Sequence, residues 1–347
     1  VVTNEIIVRF SDEMCARDIA KVNEELGAGG ARAGKAPFQN RYVITSEDGS
    51  PRSALRLASQ YFGQKGVMYA HPNLLVEKVS RNNDPLLGDQ WHLQNTGQNS
   101  GLTGADAHVV EAWQTTKGNG ITIAVIDPDG VERNHEDLVA NRFVNAGEDG
   151  PLRDNGQDDD GNGFRDDWSG WNFDQNTNNP TTSQPHGTAA AGVAAAACDN
   201  SLGGCGAAPE ARILGIAQGR SVEDDADAIM YATRMGADVI SNSWGYPLGS
   251  LQRPTEAVEE AIAFAATSGR GGKGAVVVFA MTNENIDNFE GDTPDISSLE
   301  SVIAVGRSTN LDKWGKSGFG NGMELLAPTQ AAIGDANFGC LTDELVG

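Results

Sequence analysis

Two patterns of apolar positions divide this chain. Glu5-Ile6-Ile7-Val8-Arg9-Phe10 alternates with a period of two, as a half-buried strand does. Residues 11–26 then read as a helix with Ser11 as its N-cap, followed by a Gly/Ala-rich loop. Residues 41–44 read as a second strand, 53–62 as a second helix and 67–79 as extended chain. A β-α-β-β-α-β order fits, with one strand hidden in the loop, and predicts a small α+β domain over residues 1–80. Ser80-Arg81-Asn82-Asn83-Asp84-Pro85 reads as a linker, so residues 81–105 should hold the linker and the start of the next region.

From about residue 106 onward, to residue 347, strands and helices alternate. A helix over 107–116 leads into 121–126, a continuous apolar run of the kind buried on both faces of a sheet. A helix over 188–197, a strand over 212–216, a helix over 224–235 and a strand over 238–241 follow. A helix over 255–268 and strands over 275–280 and 301–305 complete the series. This order predicts a doubly wound, mainly parallel α/β sheet.

Composition narrows the function. A formal net charge of −23 repels phosphate backbones and excludes nucleic acid as a partner. It suits a protein that binds cations or stays soluble outside the cell. No run of about twenty apolar residues spans a membrane. Val1 opens directly on strand-like sequence, without a visible secretory signal. Cys15, Cys198, Cys205 and Cys340 allow three pairings or none, so the compartment is not read from cysteine.

In an open parallel sheet, sites lie just beyond the carboxyl ends of the strands. Asp127 follows the strand at 121–126, His186 opens the small-residue run Pro185-His186-Gly187-Thr188-Ala189-Ala190-Ala191-Gly192, and Asn283 follows the strand at 275–280. A carboxylate can hold an imidazole in one tautomer, and an amide N–H can steady an oxyanion. Taken singly, a strand-end aspartate is an ordinary turn residue and a lone histidine an ordinary structural one.

Their order changes that reading. Val125-Ile126-Asp127 with Gly130 and His135-Glu136-Asp137-Leu138, then His186-Gly187-Thr188, then Ser241-Asn242-Ser243-Trp244-Gly245 closely resemble the subtilase family of serine proteases. Trp91-His92-Leu93-Gln94-Asn95-Thr96-Gly97 and Ser243-Trp244-Gly245 are more similar to its kexin-like, calcium-dependent branches. The resemblance runs from about Asp84 to Pro328. It implies Asp127 as the orienting acid, His186 as general base and Asn283 as oxyanion donor, with the backbone of Ser243, Trp244 and Gly245 lining a peptide substrate. The implied fold is a subtilisin-like α/β sheet preceded by a ferredoxin-like prodomain. Residues 1–80 resemble the family's propeptide, which templates folding and occupies the cleft. Secretion is implied with it.

Three departures stand out. Asp127-Pro128-Asp129-Gly130 carries one additional residue in the turn. Counting from the strand selects Asp127 and counting back from His135 leaves Asp129 open; the direction of the buried strand favours Asp127. Thr282 stands before Asn283, where the family has glycine, and should narrow a pocket or alter the backbone. The family's nucleophile motif, Gly-Thr-Ser-x-Ala-x-Pro, occurs nowhere in the chain. Ser317-Gly318-Phe319-Gly320 and Glu324-Leu325-Leu326-Ala327-Pro328 match the stretch that precedes it, and 19 residues follow Pro328. The serine is therefore expected on a C-terminal segment absent through truncation or cleavage.

Two stretches suggest calcium. Asp158-Asp159-Asp160-Gly161-Asn162-Gly163-Phe164-Arg165-Asp166-Asp167 places Asp158, Asp160 and Asn162 at positions one, three and five of an EF-hand-like loop, with the Phe164 carbonyl next. Ser169 occupies the position of the closing glutamate, so Asp166 or Asp167 is expected to substitute. The second stretch, residues 197–209, is similar to the subtilase loop that wraps a tight calcium. That likeness implies the Asn200 side chain and the carbonyls of Cys198, Leu202 and Gly204 as ligands, with Asp137 and Asp84 completing the site.

The leading expectation is a subtilisin-like endopeptidase precursor. A second reading is an inactive protein of the same fold that binds a peptide or partner protein in its cleft; a third, a calcium-stabilised adhesion module, has no need of His-Gly-Thr. Kexin-like enzymes select basic residues with acids just after Ser-Trp-Gly. Here Tyr246-Pro247-Leu248-Gly249 has none; Asp287 and Glu290 downstream could partly compensate, and specificity stays open.

Overall fold

A computed structural model describes residues 2–28, 30–33, 40–75, 83–246, 254–289 and 295–330. The chain forms two compact units, residues 1–81 and 82–347. The expectations for Pro247-Leu248-Gly249, Glu290 and Cys340, for residues 76–79 of the extended stretch and for 80–82 of the linker, lie outside the described residues.

In the first unit, β1 (Val2–Phe10), α1 (Ala16–Glu25), β2 (Gly30–Ala33), β3 (Arg41–Thr45), α2 (Pro51–Phe62) and β4 (Val67–Leu74) follow in order. They build a four-stranded sheet in the order β2-β3-β1-β4, with every pairing antiparallel. The period-two pattern of β1 buries Ile6, Val8 and Phe10 against Leu57, Ala58 and Tyr61 of α2. The hidden strand is β2. Ser11 is not the cap of α1: its carbonyl closes a turn on the N–H of Met14, and the helix starts five residues later, after Cys15. Ser50 caps α2 instead, accepting the Ser53 N–H at 3.1 Å, with Pro51 in the first turn.

The second unit opens with α3 (Val109–Ala112), shorter than the predicted helix because His108 stands in the left-handed region at φ 52°. Then come β5 (Thr122–Asp127), β6 (Gly170–Asn172), α4 (His186–Ala195), β7 (Arg212–Ala217) and α5 (Val222–Arg234). They are followed by β8 (Val239–Asn242), α6 (Glu256–Gly272), β9 (Val276–Ala280), β10 (Ile303–Thr309) and β11 (Met323–Gln330). The seven strands lie in the order β11-β10-β9-β8-β5-β7-β6, all parallel. This is the expected doubly wound α/β sheet. β6 and β11 escaped the sequence reading because one is three residues long and the other carries proline.

β5 shows why the apolar run is continuous. Ala124 and Ile126 enter a core with α5 and α6, while Ile123 and Val125 enter a second core with Ala191 and Ala195 of α4. Chain order reverses around β5, with β7 on one side and β8 on the other, so a crevice opens at the carboxyl ends of these strands. No helix among the described residues is long and apolar enough to cross a membrane.

Candidate active site

Asp127 is the last residue of β5 and is fully buried. Its carbonyl closes the turn by accepting the Gly130 N–H at 3.0 Å, and its Oδ1 accepts the Asp129 N–H at 2.9 Å. Gly130 is required here: it sits at φ 62°, and a Cβ would fall 2.0 Å from the Pro180 carbonyl oxygen. The other oxygen, Oδ2, lies 2.8 Å from His186 Nδ1. A carboxylate only accepts, so Nδ1 carries the proton and Nε2 keeps its lone pair.

His186 is the first residue of α4, and its side chain is 58% exposed against 1% for Asp127. Small residues let the helix end come this close. A Cβ on Gly187 would lie 2.1 Å from the Gly130 carbonyl oxygen and 2.7 Å from Asp127 Cβ. Thr188 Oγ1 then ties the helix to the next loop by accepting the Glu132 N–H at 2.9 Å. Asp129 brings a second carboxylate within 4.8 Å, farther than the hydrogen-bonded Asp127.

The hydrogen bond to Asp127 is the main cause that raises the His186 pKa above its ordinary 6.5; burial opposes it, and the charges of Asp127 and Asp129 add to it. Folding therefore favours the imidazolium. The stability it adds is complete below about pH 6.5 and is lost as the pH rises through the folded value, and exposure keeps it small. Gly187→Ala should push the pair apart, return His186 towards 6.5 and destabilise the fold by about 1–3 kcal/mol. Imidazole titration by NMR, with a thermal melt, checks this; an unchanged titration would show that the close approach is dispensable.

Ladder register aligns the neighbours. Ile126 pairs with Asn242 and Asn242 with Phe279, so Asp127, Ser243 and Ala280 follow on adjacent chains. Ser243, Trp244 and Gly245 follow directly on β8. The Trp244 ring packs edge-on against Phe279 at 5.2 Å, and its Nε1 donates to Asn242 Oδ1 at 3.1 Å. Tyr246 anchors the segment by donating to buried Asp225 Oδ2 at 2.8 Å, a support that the sequence reading did not single out. Burial raises the Asp225 pKa.

Asn283 stands exposed three residues past β9, and its carbonyl accepts from Arg307 at 3.2 Å. Thr282 is accommodated without a left-handed φ, and its hydroxyl donates to Asn288 Oδ1 at 3.0 Å, which braces the loop. Asp287 Oδ1 accepts the Phe289 N–H at 2.9 Å. An acid close to the Ser243–Gly245 segment is Asp295, whose Oδ2 lies 3.6 Å from where a Gly245 Cβ would stand.

The glycine-rich loop after α4 is closed by a Cys198–Cys205 disulfide. Asp84 accepts the N–H groups of Asp199 at 2.7 Å, Asn200 at 3.0 Å and Ser201 at 3.1 Å, so its carboxylate shapes the loop. Asn200 Nδ2 donates to buried Asp137 Oδ1 at 2.5 Å, and Asn200 Oδ1 accepts the Leu202 N–H at 2.8 Å. Gly204 leaves room for Gln90, whose Oε1 would lie 2.6 Å from an added Cβ. Asp84, Asp137 and Asn200 thus meet at the loop expected to offer the carbonyls of Cys198, Leu202 and Gly204, with the Asn200 amide nitrogen rather than its oxygen turned to Asp137; a calcium there would need that amide to rotate and present Oδ1. The nearby sulfurs are tied in the disulfide and offer no thiolate.

In the acidic loop, Asp158 and Asp160 converge, but Asp166 and Asp167 are turned to other work. Both oxygens of Asp166 accept the Gly156 N–H, at 3.1 and 3.0 Å. Asp167 is fully buried among Asn145 at 2.9 Å, Asn162 at 3.0 Å and Tyr231 at 2.8 Å, and burial raises its pKa. Asn162 Oδ1 accepts the Phe164 N–H at 2.8 Å, and the Phe164 ring packs against Trp171, Phe173 and Tyr231, fixing the loop on the core. Both expected closing aspartates are thus engaged by neighbouring donors. The carboxylate that joins Asp158 and Asp160 is Glu148.

Comparison with known proteins follows the same lines. The chain is 30% identical over 325 residues to a calcium-dependent protease of Trichormus variabilis, a match that covers 88% of this chain and 43% of that protein. It therefore spans less than half of that relative's length. It is 31% identical over 280 residues to neuroendocrine convertase 2 of Bos taurus, covering 76% of this chain and 40% of the relative. A thermophilic serine proteinase of Bacillus sp. is 30% identical over 335 residues, covering 94% of this chain and 70% of the proteinase. Among solved structures, a protease from Pseudoalteromonas arctica superposes with a TM-score of 0.51 at 27% identity, over 76% of this chain and 79% of that one. The profile of the subtilase family matches residues 118–340, the span that carries Asp127, His186 and Asn283, and the chain belongs to that family.

Proposed function

We propose that this chain forms most of a secreted, calcium-supported serine endopeptidase that cleaves peptide bonds through an acyl-enzyme. The observation that carries this reading is the 2.8 Å contact of His186 Nδ1 with buried Asp127 at the carboxyl edge of a parallel sheet. His186 Nε2 takes the proton of a serine hydroxyl as that oxygen attacks the scissile carbonyl, and later returns it to the leaving amine. Asp127 keeps the proton on Nδ1 and stabilises the imidazolium. Asn283 donates to the oxyanion, and the Ser243–Gly245 backbone pairs with the substrate as an added strand.

The reaction needs a serine nucleophile, and residues 1–347 contain no Gly-Thr-Ser-x-Ala-x-Pro motif, so the test supplies one. Calcium, when bound, offsets the repulsion of clustered carboxylates and crosslinks their loops. The names of the relatives and the oxygen-rich loops support that part of the reading, and the Cys198–Cys205 disulfide suits an oxidising compartment.

A fluorophosphonate probe tests the proposal. It should label a polypeptide that joins this chain to a Gly-Thr-Ser segment of the family, and His186→Ala should abolish labelling. Residues 1–347 alone should stay unlabelled. A natural product with another residue at the serine position would favour the inactive, peptide-binding alternative.

A further inference from the structure

The acidic loop is not a self-sufficient ion site, because its closing ligand comes from another segment. One oxygen from each of Glu148, Asp158 and Asp160 lies within 4.8 Å of the other two. That spread is about twice a calcium–oxygen bond of roughly 2.4 Å, so one ion can touch all three after a shift of at most a few tenths of an ångström. Glu148 is fully buried, although charged side chains avoid burial unless they are paired. Its Oε1 accepts the N–H groups of Asp159 at 2.6 Å and Asp160 at 3.2 Å, while Oε2 is buried with no hydrogen-bond partner.

The position of Glu148 is built, not incidental. Asn145 donates its N–H to the Trp168 carbonyl at 2.9 Å and its side-chain NH2 to Asp160 and Asp167, each at 2.9 Å. A Cβ at position 147 would lie 2.6 Å from Asp160 Cβ, so Gly147 permits the close approach. On the far side, Asp149 pairs with Arg153 at 2.5 Å, and Arg153 lies over the Trp168 ring at 4.1 Å. Glu148 is thus held facing the loop by both neighbours.

We infer that Glu148, Asp158 and Asp160 together hold a divalent hard cation, calcium by ligand chemistry, which clamps the 145–149 segment to the 158–163 loop. Glu148 takes the part that the sequence pattern assigned to Asp166 or Asp167. The inference rests on the calcium reading above and specifies the ligands of one of its sites.

Calorimetric titration of residues 1–347 with calcium, alongside Glu148→Gln, Asp158→Asn and Asp137→Asn variants, tests it. The wild type should show two binding events. Glu148→Gln and Asp158→Asn should weaken the same event at least tenfold, while Asp137→Asn spares that event and weakens the other. Backbone hydrogen exchange should slow on calcium addition across 145–149 and 158–163 in the wild type and not in Glu148→Gln. If Glu148→Gln does not fold, Glu148→Asp, which keeps the charge one methylene short, should still weaken that event. Loss with Asp158→Asn but unchanged binding in Glu148→Gln would overturn the role of Glu148 and leave the loop as a site. Absence of any binding in the wild type would overturn the calcium reading with it.

Discussion

Asp127→Asn should lower kcat/KM about 10⁴-fold in a polypeptide that joins this chain to a serine segment of the family, since the same change costs roughly that in other Ser-His-Asp enzymes. The asparagine fits the space, but its NH2 can donate to Nδ1. The imidazole then carries its proton on Nε2, the atom that must take the serine proton. His186→Ala should cost at least as much, because the base itself is gone. The acid limb of kcat/KM should lie above pH 6.5 in the wild type, where His186 is raised by Asp127. Peptide kinetics across pH, with circular dichroism to show intact folding, measure this. Near-normal turnover in Asp127→Asn together with inactivity of Asp129→Asn would transfer the orienting role to Asp129.

Calcium removal should produce the second large effect. Saturating one site at a hundredfold excess over Kd stabilises the native state by about 2.7 kcal/mol. At roughly 2–4 °C per kcal/mol for a domain of this size, chelation should lower Tm by about 5–10 °C for each site. Asp137→Ala should remove the share of the disulfide-closed loop and Asp160→Ala that of the acidic loop. The two shifts should add, since the sites use separate ligands. Melts with chelator, then with restored calcium, decide it. An unchanged Tm in both would remove metal from the account of this fold.

Local chemistry made much of this legible. A short, continuous apolar run suits a strand covered on both faces, and β5 is covered by two cores. The small-residue run after His186 was legible as a helix, and the close approach of Gly187 to Asp127 shows why its residues are small. The same reasoning misplaced the start of α1, because Ser11 suits a tight turn as well as a cap. It chose Asp127 to serve His186 from the direction of β5, while the count back from His135 kept Asp129 as the alternative. Asp127 and Asp129 are two residues apart, and only the path of β5 and α4 separates their reach.

The metal loops mark where sequence stops. Spacing identifies Asp158 and Asp160 because neighbouring positions in one turn share a centre whatever the rest of the chain does. Glu148 stands ten residues before Asp158 with no motif of its own, and only the packing of Asn145, Gly147 and Trp168 brings it in. Asp166 and Asp167 have the right chemistry at the right spacing, yet the Gly156 N–H and the buried Tyr231 hydroxyl claim them first. By itself the sequence determined the family, the strand-helix order and the residue types at the site, because these follow from local periodicity and short-range spacing. The tertiary structure alone brought Glu148 beside Asp158 and Asp160 and set His186 against Asp127, because those contacts depend on distances between segments far apart in the chain.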